Sequence, residues 1–260
     1  MNLNKEFQIF LNAVSFLTRI PIFKFSGYSE ENFNNSKKYF PAVGIIVGLI
    51  SASIFFVANL IFSFNIAVAM SMAATIIITG AFHEDGFADV CDGLFGSFTK
   101  KKVLEIMKDS RIGSFAGCGL ILILMIKFLS LSEIEIKMIP FVMIAGHSIS
   151  RFVPLLLMFL YDYVQIESVS KIKDITQKVK IYDLIFAGCW AILPCFLYFF
   201  LFHDFKFFLV IIPSVITALL MGMYFKKRIG GYTGDCLGAV QQVSEVIFYI
   251  FIGGKLWIYI

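Results

Sequence analysis

Residues 83–93, with the sequence HEDGFADVCDG, gather four acidic side chains directly after an apolar run. If this segment is helical, Asp85, Asp89 and Asp92 recur at i, i+4 and i+7, which places their carboxylates on one face. Like charges at this spacing destabilise a helix unless a cation neutralises them, and hard oxygen ligands favour Mg²⁺ or Mn²⁺. We therefore predict a divalent-metal site formed by Glu84 and these three aspartates, in preference to a solvated acidic helix end. For His83, a catalytic or ligand role competes with a purely structural one.

A second polar segment, residues 108–113 with the sequence KDSRIG, stands just before another apolar run. Asp109 and Arg111 lie at the expected helix entry, where they suit either a phosphate or a metal, and Lys108 could also contact a phosphate. The triple lysine at 100–102 is more simply a marker of the cytoplasmic side.

A third segment, residues 230–235 with the sequence GGYTGD, precedes the last apolar run. A glycine-rich turn lets backbone N–H groups approach a phosphate, and a helix N-terminus favours an anion. Asp235 could add a metal ligand or act as a base. The phosphate contacts expected from this segment are Gly231, Thr233 and Gly234.

The composition indicates that these segments are attached to membrane helices. The 260 residues are 59% hydrophobic and only 15% charged, whereas soluble domains have roughly 45–50% apolar and about 25% charged residues. The long continuous apolar runs favour helices over a barrel. The net charge is +4, but the basic residues form no stripe of the kind that binds nucleic acid. The five cysteines include no CxxC pair. No cleaved signal peptide is expected, because the N-terminal stretch lacks a small-residue cleavage site.

We predict an all-α fold, a polytopic helix bundle with about seven transmembrane helices and an N-terminal interfacial helix over residues 5–20. The apolar side of that helix would carry Phe7, Phe10, Leu11, Val14 and Leu17. The chain would form one integral membrane domain, 1–260, with a cytoplasmic acidic loop at 83–111, a Lys-rich cytoplasmic loop at 161–183 and a cytoplasmic Gly-rich loop at 226–237. The seven spans are expected at 40–62, 65–82, 112–131, 138–160, 184–202, 207–225 and 238–258.

The distribution of basic residues gives the orientation. With the N-terminus in the cytoplasm, only Lys137, Lys206 and Lys255 of the 22 Lys and Arg residues fall outside, and Lys127 and Arg151 lie within spans. All three polar segments then face the cytoplasm, at the inner membrane of a bacterium or archaeon.

Two of the charged residues within spans need a partner, because a charge at bilayer depth costs about 2.5–3.5 kcal/mol on insertion scales. Arg151 has His147 one turn earlier, and Glu245 has Gln241 and Gln242 nearby. An Arg151–Glu245 ion pair and a contact from Arg151 to a substrate phosphate are both open. More generally, aspartates, basic residues and a metal at a membrane face suit transfer or hydrolysis at a phosphate or diphosphate.

Taken together, the motifs resemble the cobalamin synthase family, the adenosylcobinamide-GDP ribazoletransferases. The resemblance covers most of the chain and rests on several motifs in order. These are FLTRIP at 16–21, YFP at 39–41, VG at 43–44, HEDGxADxxDG at 83–93, EIMKDSRIG at 105–113, Ser150-Arg151, GYTGD at 231–235, LGA at 237–239 and Glu245. Residues 94–98, LFGSF, depart from the family, which tends to be Gly-rich with a Trp there.

The resemblance implies that adenosylcobinamide-GDP and α-ribazole, or its 5′-phosphate, are joined to give adenosylcobalamin, or its phosphate, and GMP. It implies Mg²⁺ on the diphosphate, held by Glu84, Asp85, Asp89 and Asp92, while the ribazole 5′-hydroxyl attacks the cobinamide-side phosphorus. Asp109 or Asp235 would add a ligand or the base, and Arg111 and Arg151 would hold phosphate oxygens. It also implies that membrane lipid surrounds the enzyme. A homo-oligomer and an association with other cobalamin-assembly enzymes are both compatible with the resemblance.

Two alternatives stay open. A CDP-alcohol phosphotransferase shares the aspartate spacing, but its longer DGxxAR pattern is absent because Ala88-Asp89 follows Asp85-Gly86. A transporter would carry its acids at mid-bilayer in two related halves. Here the acids cluster at one face, and the sequence shows no internal repeat.

Overall fold

The structure is a computed structural model that describes residues 3–22, 29–164 and 178–254. These residues form α-helices with a 3-10 turn at Lys37–Tyr39, and their one β-type contact is an isolated bridge between Tyr163 and Tyr232. In chain order the helices are α1 (Leu3–Leu17), α2 (Glu30–Ser36), α3 (Phe40–Asn59), α4 (Phe64–Thr79), α5 (Phe82–Gly96), α6 (Lys100–Ile106), α7 (Ser114–Ser132), α8 (Ile139–Leu160), α9 (Ile181–Phe202), α10 (Lys206–Ile229) and α11 (Gly234–Gly253).

The predicted all-α membrane bundle is confirmed. Within the described ranges, six helices are long and apolar enough to cross a membrane, or seven if the bent pair α4 and α5 counts as one span. The last of them begins at Gly234 rather than at 238, so Asp235 lies in the first turn of α11. Residues 83–111, expected as a loop, contain α5 and α6. Most of the 161–183 segment lies outside the described residues.

A sharp break separates α4 from α5, and their axes differ by 89°. Gly80 and Ala81 both have left-handed backbone conformations, with φ of 67° and 56°, so the helix cannot continue through them. The backbone N–H of Arg19 donates to the carbonyl of Ile78 (2.7 Å), which satisfies an acceptor that the broken helix leaves free. As a result, α5 runs across one end of the bundle instead of extending α4.

This end of the bundle, which we call the acidic end, collects the polar segments of the sequence. Around α5 lie the first turns of α3, α7 and α11 and the last turns of α8 and α10. One link is the Arg228 guanidinium, which donates to the carbonyls of Leu94 (2.9 Å) and Ser97 (2.6 Å) at the end of α5. The three predicted functional segments are therefore neighbours in space.

The N-terminal helix was predicted with its apolar side formed by Phe7, Phe10, Leu11, Val14 and Leu17. In the structure α1 packs on α3 and the turn before it, and its buried side chains include Val14 and Leu17 but not Phe7, which is 61% exposed. The remaining buried positions are Ile9, Asn12 and Ala13. The apolar side is thus rotated from the predicted one, because the helix packs against protein.

Among the described helices, α3 and α8 have the most extensive contact. They approach each other at two glycines of α3. A Cβ atom at Gly44 would collide with the backbone carbonyl of His147, and one at Gly48 would lie 2.5 Å from the Cα of Ile144. Small residues at such crossings let helix backbones approach, which is the main source of packing energy between helices in lipid.

We expect Gly44→Ala to destabilise the bundle by about 1–3 kcal/mol, because the added methyl group meets backbone that cannot move aside. Gly117→Ala in α7 is the matched control, since a Cβ there meets nothing within 4 Å. Thermal unfolding of the two variants in detergent measures the difference. Equal midpoints would show that the α3–α8 contact is looser than described.

Candidate active site

The acidic residues of α5 do not all point in one direction. Asp85 is exposed, Asp89 and Asp92 are half-buried, and Glu84 is only 8% exposed. The charges of Asp85, Asp92 and Asp235 act on Asp89, which lies between them. The structure therefore brings together the three aspartates predicted to share a face, and it adds Asp235 from the Gly-rich segment.

Asp235 reaches this position because α5 and α11 cross with almost no space between them. A Cβ at Gly86 would lie 3.0 Å from the Cα of Asp235. Thr233 caps the helix, since its Oγ1 accepts from the backbone N–H of Cys236 (3.4 Å) and also lies 3.3 Å from Asp235 Oδ2. The capped first turn of α11 thus holds the Asp235 carboxylate beside the aspartates of α5.

The Gly-rich segment makes a backbone pairing that the sequence did not predict. The N–H of Tyr232 donates to the carbonyl of Asp162 (3.1 Å), and the N–H of Val164 donates to the carbonyl of Tyr232 (2.8 Å). Gly231 is required there because a Cβ would collide with the same Asp162 carbonyl. The glycine thus permits a close backbone pairing, and the exposed Gly234 keeps open space beside it.

Tyr163 is a neighbour of the site that the sequence did not reveal. Its ring packs edge-on against Tyr232, with the centroids 5.5 Å apart. Burial raises the pKa of the Tyr163 phenol, and the nearby charge of Asp235 raises it further. A tyrosine in a polar loop carries no spacing signal, so no motif could have found it.

Asp92, predicted as a metal ligand, already has two partners. Its Oδ2 accepts from the N–H of Gly113 (2.6 Å) and its Oδ1 from the N–H of Ala116 (2.9 Å). The carboxylate therefore caps the N-terminus of α7, where a negative charge is favourable. This interaction ties the acidic segment directly to the KDSRIG segment.

Asp109 and Arg111 pair with each other at the surface. The Arg111 Nε donates to Asp109 Oδ1 at 2.9 Å, and these hydrogen bonds lower the pKa of the Asp109 carboxyl to about 2. Both residues, with Asp92, line an open groove that encloses about 830 Å³ including its mouth. Lys108 is exposed at the end of α6. This groove therefore lies open at the surface, with Asp92 in its wall.

Glu84 faces away from the aspartates and into a polar network inside the bundle. Its Oε1 accepts from Gln242 Nε2 (2.9 Å), and Gln242 also donates to Gln241. Gln241 in turn donates to Glu245 (2.6 Å) and to the Ser150 hydroxyl (2.9 Å). Glu84 therefore belongs to the interior network in this structure rather than to the acidic face.

The centre of this network is Glu245, and its ionic partner is Lys127 rather than Arg151. Lys127 Nζ pairs with Oε1 of Glu245, and His147 Nδ1 lies 3.2 Å from Oε2. Arg151 donates instead to the backbone carbonyl of His147 (3.0 Å). The Arg151–Glu245 ion pair, one of the two alternatives for Arg151, is not formed as a direct contact, because a lysine from α7 occupies that position.

Four polar atoms of this region are buried without a hydrogen-bond partner in the described part of the protein. They are His83 Nδ1, Glu84 Oε2, Arg151 Nε and Gln242 Oε1. All four residues line one small cavity between α4, α5, α8 and α11, and His83 and Arg151 also line a larger one beside it. Buried polar groups without partners are uncommon, so their grouping distinguishes this part of the bundle.

Lys127→Met should lower the stability of the bundle by about 3–5 kcal/mol, because Glu245 would keep a buried charge without its lysine. Adding Glu245→Gln should restore part of the loss, since the amide keeps hydrogen-bonding ability without the charge. The folded fraction on size-exclusion chromatography in detergent reports the result. The double exchange Arg151→Glu with Glu245→Arg should not give a folded protein, because Arg151 is not the ionic partner of Glu245. A folded double variant would contradict the assignment of Lys127 as that partner.

A divalent metal has suitable donors at the acidic face but no complete cage. Among the described residues, no three His, Cys, Asp or Glu side chains form a ready cluster of ligands. The donors whose charges act on one another, Asp85, Asp89 and Asp235, are all carboxylates. Mg²⁺ is usually bound by one or two carboxylates plus substrate phosphates and water, so this donor set fits Mg²⁺ bound together with a phosphate.

Comparison with known proteins agrees with this geometry. The sequence model of the cobalamin-5-phosphate synthase family matches residues 9–253. The chain belongs to the cobalamin-5-phosphate synthase family. Three curated relatives named adenosylcobinamide-GDP ribazoletransferase come from Shewanella amazonensis, Vibrio cholerae and Leptospira interrogans. In that order, they are 37%, 38% and 39% identical to this chain. Each alignment covers 95% of this chain, and it covers 95%, 94% and 96% of the respective relative.

No solved structure is similar to this chain. The cobalamin-5-phosphate synthase match spans every segment of the site, from α1 to the end of α11. It also decides among the three functions that the sequence left open, in favour of the cobalamin synthase resemblance over a CDP-alcohol phosphotransferase and a transporter.

Proposed function

We propose that this membrane protein joins adenosylcobinamide-GDP to α-ribazole, or to its 5′-phosphate, and releases GMP. The observation that carries the proposal is the meeting of Asp85, Asp89 and Asp235 at the acidic end, beside the Asp109–Arg111 groove. The name of the curated relatives, adenosylcobinamide-GDP ribazoletransferase, describes this transfer. A diphosphate substrate needs both carboxylates for a metal and cationic groups for its oxygens, and both lie here.

The reaction exchanges one phosphoester partner for another at the cobinamide-side phosphorus. The 5′-hydroxyl oxygen of ribazole bonds to this phosphorus, the P–O bond to the GMP half breaks, and GMP leaves with the bridging oxygen. The hydroxyl proton passes to a protein base. Mg²⁺, when bound by Asp85 and Asp89, would neutralise the diphosphate and the leaving GMP. Asp92 would contribute chiefly by fixing α7 against α5.

Asp235 is our candidate for the base. It lies beside Asp85 and Asp89, where the hydroxyl must approach, and the cap at Thr233 fixes its position. Asp109 is less suited, because its contact with Arg111 holds its pKa at about 2, and a weakly basic carboxylate takes a proton poorly. His83 is buried away from the acidic face.

The remaining predicted site residues divide between binding and support. Arg111 and Lys108 are exposed at the groove and would bind phosphate oxygens, as would the open backbone at Gly234. Gly231 and Thr233 support the first turn of α11. The basic side chains of residues 100–102 and 226–228 lie at the same end, so we propose that the acidic end faces the cytoplasm at an inner membrane.

The purified protein in lipid vesicles should form adenosylcobalamin and GMP from adenosylcobinamide-GDP and α-ribazole when Mg²⁺ is present. EDTA should abolish the reaction, because the carboxylates alone repel the diphosphate. Chromatography of the corrinoid and of GMP measures both products. If product forms at the same rate in EDTA, the metal proposal is wrong while the transfer itself stands.

Asp89→Asn should lower kcat by about 100-fold or more. The variant should stay folded, because the described residues make no structural hydrogen bond to Asp89. Glu135→Gln is the matched control, since Glu135 is exposed in the connection between α7 and α8, far from α5 in the fold. Initial rates at saturating substrate compare the two. Near-wild-type turnover in Asp89→Asn would remove Asp89 from the catalytic centre.

A further inference from the structure

An apolar cavity opens beside the acidic face, and neither the reaction chemistry nor the family match assigns it a role. It encloses about 480 Å³ including its mouth, and its walls come from α1, α3, α5, α8 and α11. Three phenylalanines form one side: Phe16 stacks on Phe40 with ring centroids 5.8 Å apart and meets Phe82 edge-on at 5.2 Å. The lining is almost wholly apolar and aromatic.

Three buried polar side chains, Arg151, His83 and Gln241, interrupt this apolar lining. Arg151 is 3% exposed and His83 is 6% exposed, and each has one ring or guanidinium nitrogen without a partner, Arg151 Nε and His83 Nδ1. The guanidinium of Arg151 stays protonated, so it can only donate hydrogen bonds. A ligand with an apolar body and an acceptor near Arg151 suits this lining better than one that would place a donor there.

The cavity also adjoins the reacting groups. Gly234 lines it, and Asp235 is the next residue along the first turn of α11. On α5, His83 lines the cavity while Asp85, two residues later, belongs to the acidic face. A molecule with its flat part in the cavity would therefore emerge next to the proposed base and metal ligands.

The pieces of the two substrates differ in how well they match. Guanine presents several polar groups at its edge, which an apolar wall would leave unpaired, and a corrin ring is too large for this volume. The base of α-ribazole, dimethylbenzimidazole, is a flat apolar bicycle with one free ring nitrogen as acceptor. Flat bases also stack well on aromatic side chains.

We propose that this cavity, walled by Phe16, Phe40 and Phe82 with Arg151 and His83 among its lining residues, binds the benzimidazole base of α-ribazole. The inference rests on the proposed function and names the acceptor's site within it. The free ring nitrogen lies on the side of Arg151, and the ribose extends past Gly234 toward Asp235. The cavity thus selects a methylated apolar base over a purine and presents the 5′-hydroxyl to the carboxylates.

The test is calorimetric binding of α-ribazole to the full-length protein in detergent, which needs no turnover. Phe82→Ala should weaken α-ribazole binding by about tenfold, the usual scale for losing one stacked aromatic ring. Phe56→Ala is the matched control, because Phe56 is 62% exposed on α3 and does not line the cavity, and its affinity should be unchanged. Adenosylcobinamide-GDP should bind Phe82→Ala as it binds the wild type.

A second measurement keeps the inference testable if Phe82→Ala folds poorly. Wild-type protein should bind α-ribazole at least about tenfold more tightly than the same α-riboside carrying adenine, because the purine brings polar edges into the apolar cavity. Equal affinities for the two nucleosides, no binding of either, or an unchanged affinity in folded Phe82→Ala would each overturn the cavity assignment. If α-ribazole binds selectively but no product forms, the proposed transfer is overturned instead, and the cavity assignment stands.

Discussion

The break at Gly80 and Ala81 is the feature on which the acidic end depends. Two consecutive left-handed residues stop α4 and turn the chain by 89°, so that α5 crosses the ends of α7 and α11. A straight continuation would have carried the aspartates beyond the bundle as a solvated helix. The turn instead lets successive residues of α5 face three different surroundings: the apolar cavity at His83, the interior network at Glu84 and the acidic face at Asp85.

The interior network explains how a bundle with so little polar surface can hold several charges. Glu245 is surrounded by Lys127, His147, Gln241 and Tyr249, so its charge is shared by partners from three helices. Each partner would be costly alone in an apolar interior, and together they satisfy one another. The network ends at Glu84 and Arg151, directly behind the proposed binding cavity. It therefore supports the site from the inside of the bundle.

Much of this arrangement could be predicted from the sequence. Apolar runs of about 20 residues identified the spans, and the i, i+4, i+7 spacing identified the shared face of Asp85, Asp89 and Asp92, because both signals are local. The roles of Asp92 and Glu84 could not be predicted. Asp92 caps a helix that begins 22 residues later, and Glu84 bonds to Gln242, a partner 158 positions away. Partners at such distances are chosen by packing, which single-sequence spacing does not contain.

The same limit applies to Lys127 and Arg151, since either charge could have balanced Glu245 by composition alone. Only the rotation of α7 against α11 decides between them. The cavity is a further case, because its wall combines side chains from five helices that share no motif.

The backbone pairing between Tyr232 and residues 162–164 has a consequence for how this enzyme can vary. Its hydrogen bonds use main-chain atoms, so nearly any side chain can be exchanged there without losing them. Gly231 is the exception, because the facing carbonyl leaves no room for a methyl group. Residues 162–164 can therefore change in sequence while their backbone still anchors the start of α11. Over evolutionary time Gly231 would stay invariant while the side chains of residues 162–164 opposite it vary.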